Sequence, residues 1–291
     1  MLALYAAVFA TFSTLIHKKI LYKEHTLEFV TVTAIFNLLF ASVFLFKADF
    51  NFNLNLLFII FLVSILNSVG TIFLFKAFKH LEISVASPLM GFESAFIVLL
   101  AFLFLKEGVA YIQMWGLVLI ISGGYLLEIK KGEFNFFQPV RMFLESKYIH
   151  YGAFAIILYG ISAVVTRYLV NSGGKFAINP YTYAFLIYGF NAIILFIILS
   201  VMYDGIQGVK NGIKNIGWLI IPSSLLFIIH GFLGLLAISK PEANVGLVIA
   251  IKRISIFFET FIGGELFHDD NLLLKVISSI VMVIGTYLIV A

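Results

Sequence analysis

The chain has 291 residues, of which 62% are hydrophobic and only 12% charged, with no cysteine and a formal net charge of +4. Soluble domains carry about a quarter of their residues as charges, so this composition, with a mean hydropathy of +1.08, excludes a soluble globule. It also excludes a disulfide framework and a thiolate metal site, and the scattered Lys and Arg exclude a nucleic-acid-binding patch.

A helix needs roughly 20 apolar residues to cross the hydrocarbon core, so ten helices take about 200. Ten apolar runs separated by polar breaks can be marked: 2–17, 27–46, 54–75, 83–105, 109–128, 148–170, 181–203, 216–238, 243–264 and 271–290. The first lacks the positive flank and small-residue cleavage site of a signal peptide and is expected to be a retained helix. Short loops force antiparallel neighbours. The longest break, 129–147, mixes Lys130, Lys131 and Arg141 with Phe134, Phe136, Phe137 and Phe143, a composition suited to the headgroup region or to a plain linker.

That break separates two similar halves, 1–128 and 148–291. Ala77 to Val85 resembles Ala237 to Val245, and Ser13 and Lys18 share the spacing of Ser162 and Arg167. Gly123-Gly-Tyr-Leu126 in the fifth run parallels Gly285-Thr-Tyr-Leu288 in the tenth. Five helices per half make the second half inverted relative to the first, and inverted repeats place a binding site at the midplane where they meet. The expected fold is an all-α membrane protein of ten helices in two inverted five-helix repeats around a central cavity.

Ionisable groups inside apolar runs point to that cavity. Glu93 lies mid-run in the fourth, His230 in the eighth, and Lys252 and Arg253 in the ninth, followed by Glu259. Each charge at the membrane centre costs about 2.5–3.5 kcal/mol on insertion scales, so such groups face a wet cavity or pair with one another. Two readings compete. In one, Glu93 pairs with Arg253, and Lys252 with Glu259, and the charges brace the halves. In the other, the cations bind an anionic group of a small-molecule substrate while Glu93 receives a cationic group or a proton. His230 and Asn67 either join the cavity or hydrogen-bond within the helix packing. The glycines beside His230 permit close helix approach. Lys18, Lys76 and Arg167, near run ends, are explained by snorkelling, and Pro88 and Pro241 by positions near helix starts.

No HExxH, GxSxG or Walker loop occurs, and neither an enzyme nor a cofactor is expected. Loops after odd-numbered runs hold eleven Lys and Arg and the other side five, with Lys252, Arg253 and Lys275 set aside as intramembrane. The positive-inside rule then puts the odd loops in the cytoplasm and both termini outside.

Ala86-Ser87-Pro88, Leu105-Lys106-Glu107, Gln113, Gly116 and Gly123-Gly124, with Gly263-Gly264-Glu265 and Gly285 in the second half, resemble the EamA-type branch of the drug/metabolite transporter superfamily. The resemblance covers essentially the whole chain. It implies a multi-pass protein of the inner cell membrane that moves a small metabolite by alternating access, as a monomer or homodimer, with a proton or counter-solute as coupling partner. Members are usually described with both termini inside, opposite to the charge count. Lys252-Arg253 also resembles the Lys-Arg pair that contacts phosphate in the triose-phosphate translocator branch. That branch has a further helix-four Lys, three residues before a Glu-Pro. Here those positions read Met90 and Glu93-Ser94, so carboxylate and zwitterionic substrates stay open beside phosphate.

Overall fold

The computed structural model describes residues 1–51, 53–100, 102–103, 110–127 and 145–290. The Leu105-Lys106-Glu107 motif and nearly all of the 129–147 linker lie outside them. Among the described residues the chain is helical, with no strand.

In the first half, α1 spans Leu2–Leu21, α2 Thr26–Ala41 with a 3-10 extension Ser42–Lys47, and α3 Leu54–His80. They are followed by α4 (Ile83–Leu89), α5 (Phe92–Leu100) and α6 (Tyr111–Leu127). In the second half α7 spans Lys147–Val170, α8 Pro180–Met202, α9 Ile206–Ile216 and α10 Ile220–Ile238. Then come α11 (Val245–Lys252), α12 (Ser255–Phe258), a π turn (Glu259–Gly263), α13 (Gly264–Phe267) and α14 (Leu272–Val290). Short polar side chains start α3 and α8 by accepting otherwise orphaned N–H groups. Asn53 accepts from Asn55 N at 3.1 Å and Asn179 from Tyr181 N at 2.9 Å. Pro180 supplies the first residue of α8, where its missing N–H costs nothing.

Among the described residues, five helical stretches are long and apolar enough to cross a membrane: Thr26–Lys47, Leu54–His80, Lys147–Val170, Pro180–Met202 and Ile206–Ile238. Tyr111–Gly123 and Leu272–Leu288 are shorter apolar helices. The fourth and ninth runs, read as continuous in the sequence, are both broken. Pro88 stands in the last turn of α4, not near its start, and the chain turns at Met90–Gly91 before α5 begins. The ninth run breaks at Arg253–Ile254 and then loosens into the π turn. The break at 204–215 holds most of an eleven-residue amphipathic helix, Ile206–Ile216, bracketed by Gly205 (φ +50°) and Gly217 (φ +62°). Both glycines occupy the positive-φ region that side chains disfavour. Around α9, Gly208 and Gly212 face the protein, Ile206 and Ile213 form an exposed apolar flank, and Lys210 lies exposed beyond them. That sequence of faces suits a helix lying in the interface plane.

The helix pairings come in matched sets. α1 packs on α10 as α7 packs on α3, and α2 on α10 as α8 on α3. α5 meets α7 as α11 meets α1, while α2 pairs with α8 and α6 with α14. The α6–α14 contact is close because glycines remove side chains from it. A Cβ on Gly285 would lie 2.7 Å from Gly116 O, and one on Gly123 2.8 Å from Ser278 O. Without a hydrophobic drive between helices in lipid, such close approach is a main source of adhesion.

The loops after the first, third, seventh and ninth runs gather at one end. There Glu24 accepts from Asn215 at 3.3 Å, His25 stacks on Tyr203 and Ser84 donates to Asp269 at 2.5 Å. Lys275, set aside above as intramembrane, pairs with Glu82 at this same end. At the other end Asn179 donates to Lys47 O at 3.0 Å and Ser172 N to Ser239 O at 2.9 Å.

Lys18 and Arg167 do not snorkel. Lys18 is 2% exposed and donates to Phe78 O and Leu81 O, both at 2.6 Å, closing the C-terminus of α3. Arg167, 6% exposed, donates to Ile238 O and Lys240 O at 2.6 Å and to Pro241 O at 3.0 Å, closing the C-terminus of α10. Helix ends leave orphan carbonyls and partial negative charge, so a cation satisfies both needs at once.

Candidate functional site

The two helix breaks bring the intramembrane charges together. Glu93 sits in the first turn of α5, where helix N-termini favour negative charge. It forms an ion pair with Arg253, which ends the regular backbone after α11. Lys252, the adjacent residue, takes a different path. Its side chain crosses α10 at Gly234, where a Cβ would lie 2.7 Å from Nζ. Lys252 makes no hydrogen bond or ion pair among the described residues, and in particular none to Glu259. The second pair of the bracing reading is therefore absent.

His230 is on α10 with its ring edge-on to Phe227 and with Nδ1 buried and unpartnered. The α10 glycines do not bring a helix backbone close. Gly231 makes room for the Tyr188 hydroxyl, 2.5 Å from a Cβ built there, and Gly234 makes room for Lys252. Asn67 lies in the α3–α7 contact, where its Oδ1 accepts from Ser162 Oγ at 2.9 Å.

Between α2, α3, α8 and α10 lies a cavity of about 40 Å³. One water needs roughly 10–15 Å³, so it has room for a few waters and none for a metabolite. Thr33 and Asn37 from α2, Thr71 from α3, and Tyr188 and Asn191 from α8 supply its polar lining; Phe75 and Phe227 are among its apolar walls. Thr33 Oγ1 and Asn37 Oδ1 are buried without partners, while Asn191 accepts from Ser68 at 3.1 Å. Thr71 is bonded at 2.9 Å to the Tyr159 hydroxyl, which also feels the charges of Glu93 and Arg253. Behind the apolar wall is His17, 3% exposed, ringed by Phe29, Phe75 and Phe227 with Nε2 unpartnered.

His17, Asn37, Asn191 and Tyr188 escape the sequence reading, which weighs charges by their insertion cost. A signal for two of them exists. Phe36-Asn37 and Phe190-Asn191 occupy the same place, eleventh and twelfth, in α2 and α8.

Helices of spanning length with ionisable groups buried between them define an integral, multi-pass membrane protein. Residues 1–129 match the model of the EamA-like transporter family, so the class of activity this first part of the chain indicates is membrane transport. No curated protein matches the chain.

Proposed function

We propose that the protein is a secondary carrier of a small polar metabolite, anionic or zwitterionic, working by alternating access in the cell membrane. The observation that carries this reading is the unpaired Lys252 ammonium held over Gly234, beside the Glu93–Arg253 pair and at two broken helices. A buried cation without a protein partner is costly, and an anionic group of a solute would relieve that cost. The Glu93–Arg253 pair in turn favours a bracing role for those two residues, leaving Lys252 as the principal solute contact. A carrier that exports amino acids or cations on Glu93, with Lys252 and Arg253 merely structural, is the competing reading.

The matched helix pairings support ten spanning helices in two inverted repeats, with α4–α5 and α11–α13 as the broken fourth and ninth. Alternating access then requires the polar cavity to widen before it admits solute. Counterflow into liposomes, screened over carboxylates, sugar phosphates and amino acids, tests the reading. Movement of an anionic or zwitterionic solute that is lost in Lys252→Gln is expected. Folded protein that moves no solute under any gradient overturns it, and a transported cation that depends on Glu93 alone selects the competitor.

A further inference from the structure

Two side chains of α2 line the cavity between α2, α3, α8 and α10 with buried polar atoms that meet nothing. Thr33 and Asn37 are each 4% exposed and leave Thr33 Oγ1 and Asn37 Oδ1 without hydrogen-bond partners. Four residues apart, they share one helix face. The α8 groups lining the same cavity are Tyr188 and Asn191. Tyr188 is buried, and its hydroxyl makes no hydrogen bond among the described residues. Asn191 has its Oδ1 taken by Ser68 at 3.1 Å, so what it can offer a guest is N–H. Thr71 is saturated, since its hydroxyl bonds Asn67 O at 2.7 Å and the Tyr159 hydroxyl at 2.9 Å. The unanswered capacity therefore belongs to α2 and α8. An apolar guest leaves it unanswered, whereas a hydroxyl or a carboxamide satisfies it.

One face of α10 connects this cavity to Lys252. Phe227 is a wall of the cavity, and Gly231 and Gly234 follow it at four and seven residues, the spacing of a single helix stripe. A Cβ on Gly231 would lie 2.5 Å from the Tyr188 hydroxyl, and one on Gly234 2.7 Å from Lys252 Nζ. The stripe thus meets, in order, the cavity, a phenol hydroxyl and an ammonium. At roughly 1.5 Å of rise per residue, Phe227 to Gly234 spans about 10 Å and Gly231 to Gly234 about 4.5 Å. That is the reach of a small metabolite with a charge at one end and a polar group at the other. The volume fits the end and not the whole, since about 40 Å³ takes roughly three water-sized groups, the size of a carboxamide or a hydroxymethyl.

We infer that the cavity is the specificity subsite of the carrier: it takes the uncharged, hydrogen-bonding end of a solute, a hydroxyl or a carboxamide, while the anionic end of the same solute lies on Lys252. The inference rests on the solute contact proposed for Lys252 and narrows the substrate class to short anions or zwitterions that carry such a group. Thr33 and Asn37 are the residues that set the choice. A site built to hydrogen-bond a guest rejects the isosteric hydrocarbon, because the hydrocarbon leaves the same buried groups unpaired.

Two isosteric pairs serve as probes on the purified full-length protein: asparagine against leucine, and 4-hydroxybutyrate against valerate. Saturable rises in Tm give the apparent Kd of each. In at least one pair the polar member is expected to bind about tenfold tighter than its isostere, or ~1.4 kcal/mol. Thr33→Val and Asn37→Leu keep the side-chain shape and remove the unpartnered oxygens. Each should erase the difference within the pair while leaving the ligand-free Tm unchanged or raised. If Asn37→Leu does not fold, Thr33→Val decides. A pair difference that survives both variants overturns the subsite, and a ligand-free Tm that drops with it assigns these groups to fixed internal waters. Equal binding within both pairs, or no binding of any probe, overturns it too. Discrimination between isosteres with no counterflow of any solute removes the carrier reading and leaves the subsite standing. Counterflow of anions or zwitterions that ignores the hydroxyl and the carboxamide does the reverse.

Discussion

Removing one member of the Glu93–Arg253 pair at a time separates a brace from a binding site. Stranding one charge of a buried pair costs about 3–5 kcal/mol, whereas replacing both members is often close to neutral. The structure ranks the two single variants. Arg253→Gln leaves the Glu93 carboxylate, 7% exposed, but within the electrostatic reach of Lys252, so a cost near ~3 kcal/mol is expected. Glu93→Gln leaves two adjacent cations with no carboxylate paired to either among the described residues, and its cost belongs nearer ~5 kcal/mol. In the double Gln variant the two amides bond to each other, and stability should return to within ~1 kcal/mol of the parent. Thermal unfolding of the full chain in detergent, followed by helix content, measures all three. Additive penalties, or Arg253→Gln costing more than Glu93→Gln, would refute the charge-sharing argument. Solute counterflow on the same proteins then assigns the pair. A double variant that is stable but inactive places the pair on the solute path, and one that regains both stability and transport makes it a brace.

Gly234→Ala should leave the melt within about 1 kcal/mol of the parent, since the atoms it displaces belong to the mobile end of Lys252. Counterflow should nevertheless fall severalfold; unchanged transport separates Lys252 from the solute. Lys18→Met and Arg167→Met each strip charge-assisted bonds from a helix C-terminus, two and three respectively. At a net ~1.5 kcal/mol per bond, losses of about 3 and 4–5 kcal/mol are expected in the same melts, Arg167 being the worse. His25, in the turn before α2, has its pKa lowered first by burial and then by Lys79 and Lys76. The unfolded chain therefore binds a proton that the folded chain refuses. Stability should fall as pH drops below the ordinary imidazole value of 6.5. His25→Gln should flatten that part of the melt-versus-pH curve.

What the sequence discloses follows from the insertion cost of each group. Glu93, Lys252, Arg253 and His230 stand out of apolar runs because each is expensive in lipid, and the structure gathers them near one another. Asn37, Asn191 and Tyr188 are cheaper to insert and blend into runs rich in Phe and Tyr. Burial of Lys18 and Arg167 is hidden for another reason. Cations at run ends look interfacial until the carbonyls they meet, sixty or more residues away, are known. The helix breaks were equally silent, since Pro88 precedes the first by two residues and nothing in Ile249 to Ile256 marks the second. The Ile206, Val209, Ile213, Ile216 stripe of α9 was legible in principle, but it is shorter than a span and lies among Gly, Asn and Lys.

The wide sequence separation of those two helix-closing cations bears on how the chain is made. Lys18 bonds to carbonyls 60 and 63 residues downstream, and Arg167 to carbonyls 71 to 74 downstream. At about 5–20 residues per second of synthesis, the first helix leaves the ribosome on the order of 3–12 s before its lysine can be satisfied. During that interval Lys18 has only water and lipid headgroups to solvate it, and its carbonyl partners arrive with the end of α3. The second half repeats the delay with Arg167 and α10. Each of these cations thus finds its carbonyl partners only once a later long helix has been made, and a ribosome stalled before Leu81 should hold a first helix whose Lys18 is still unpaired.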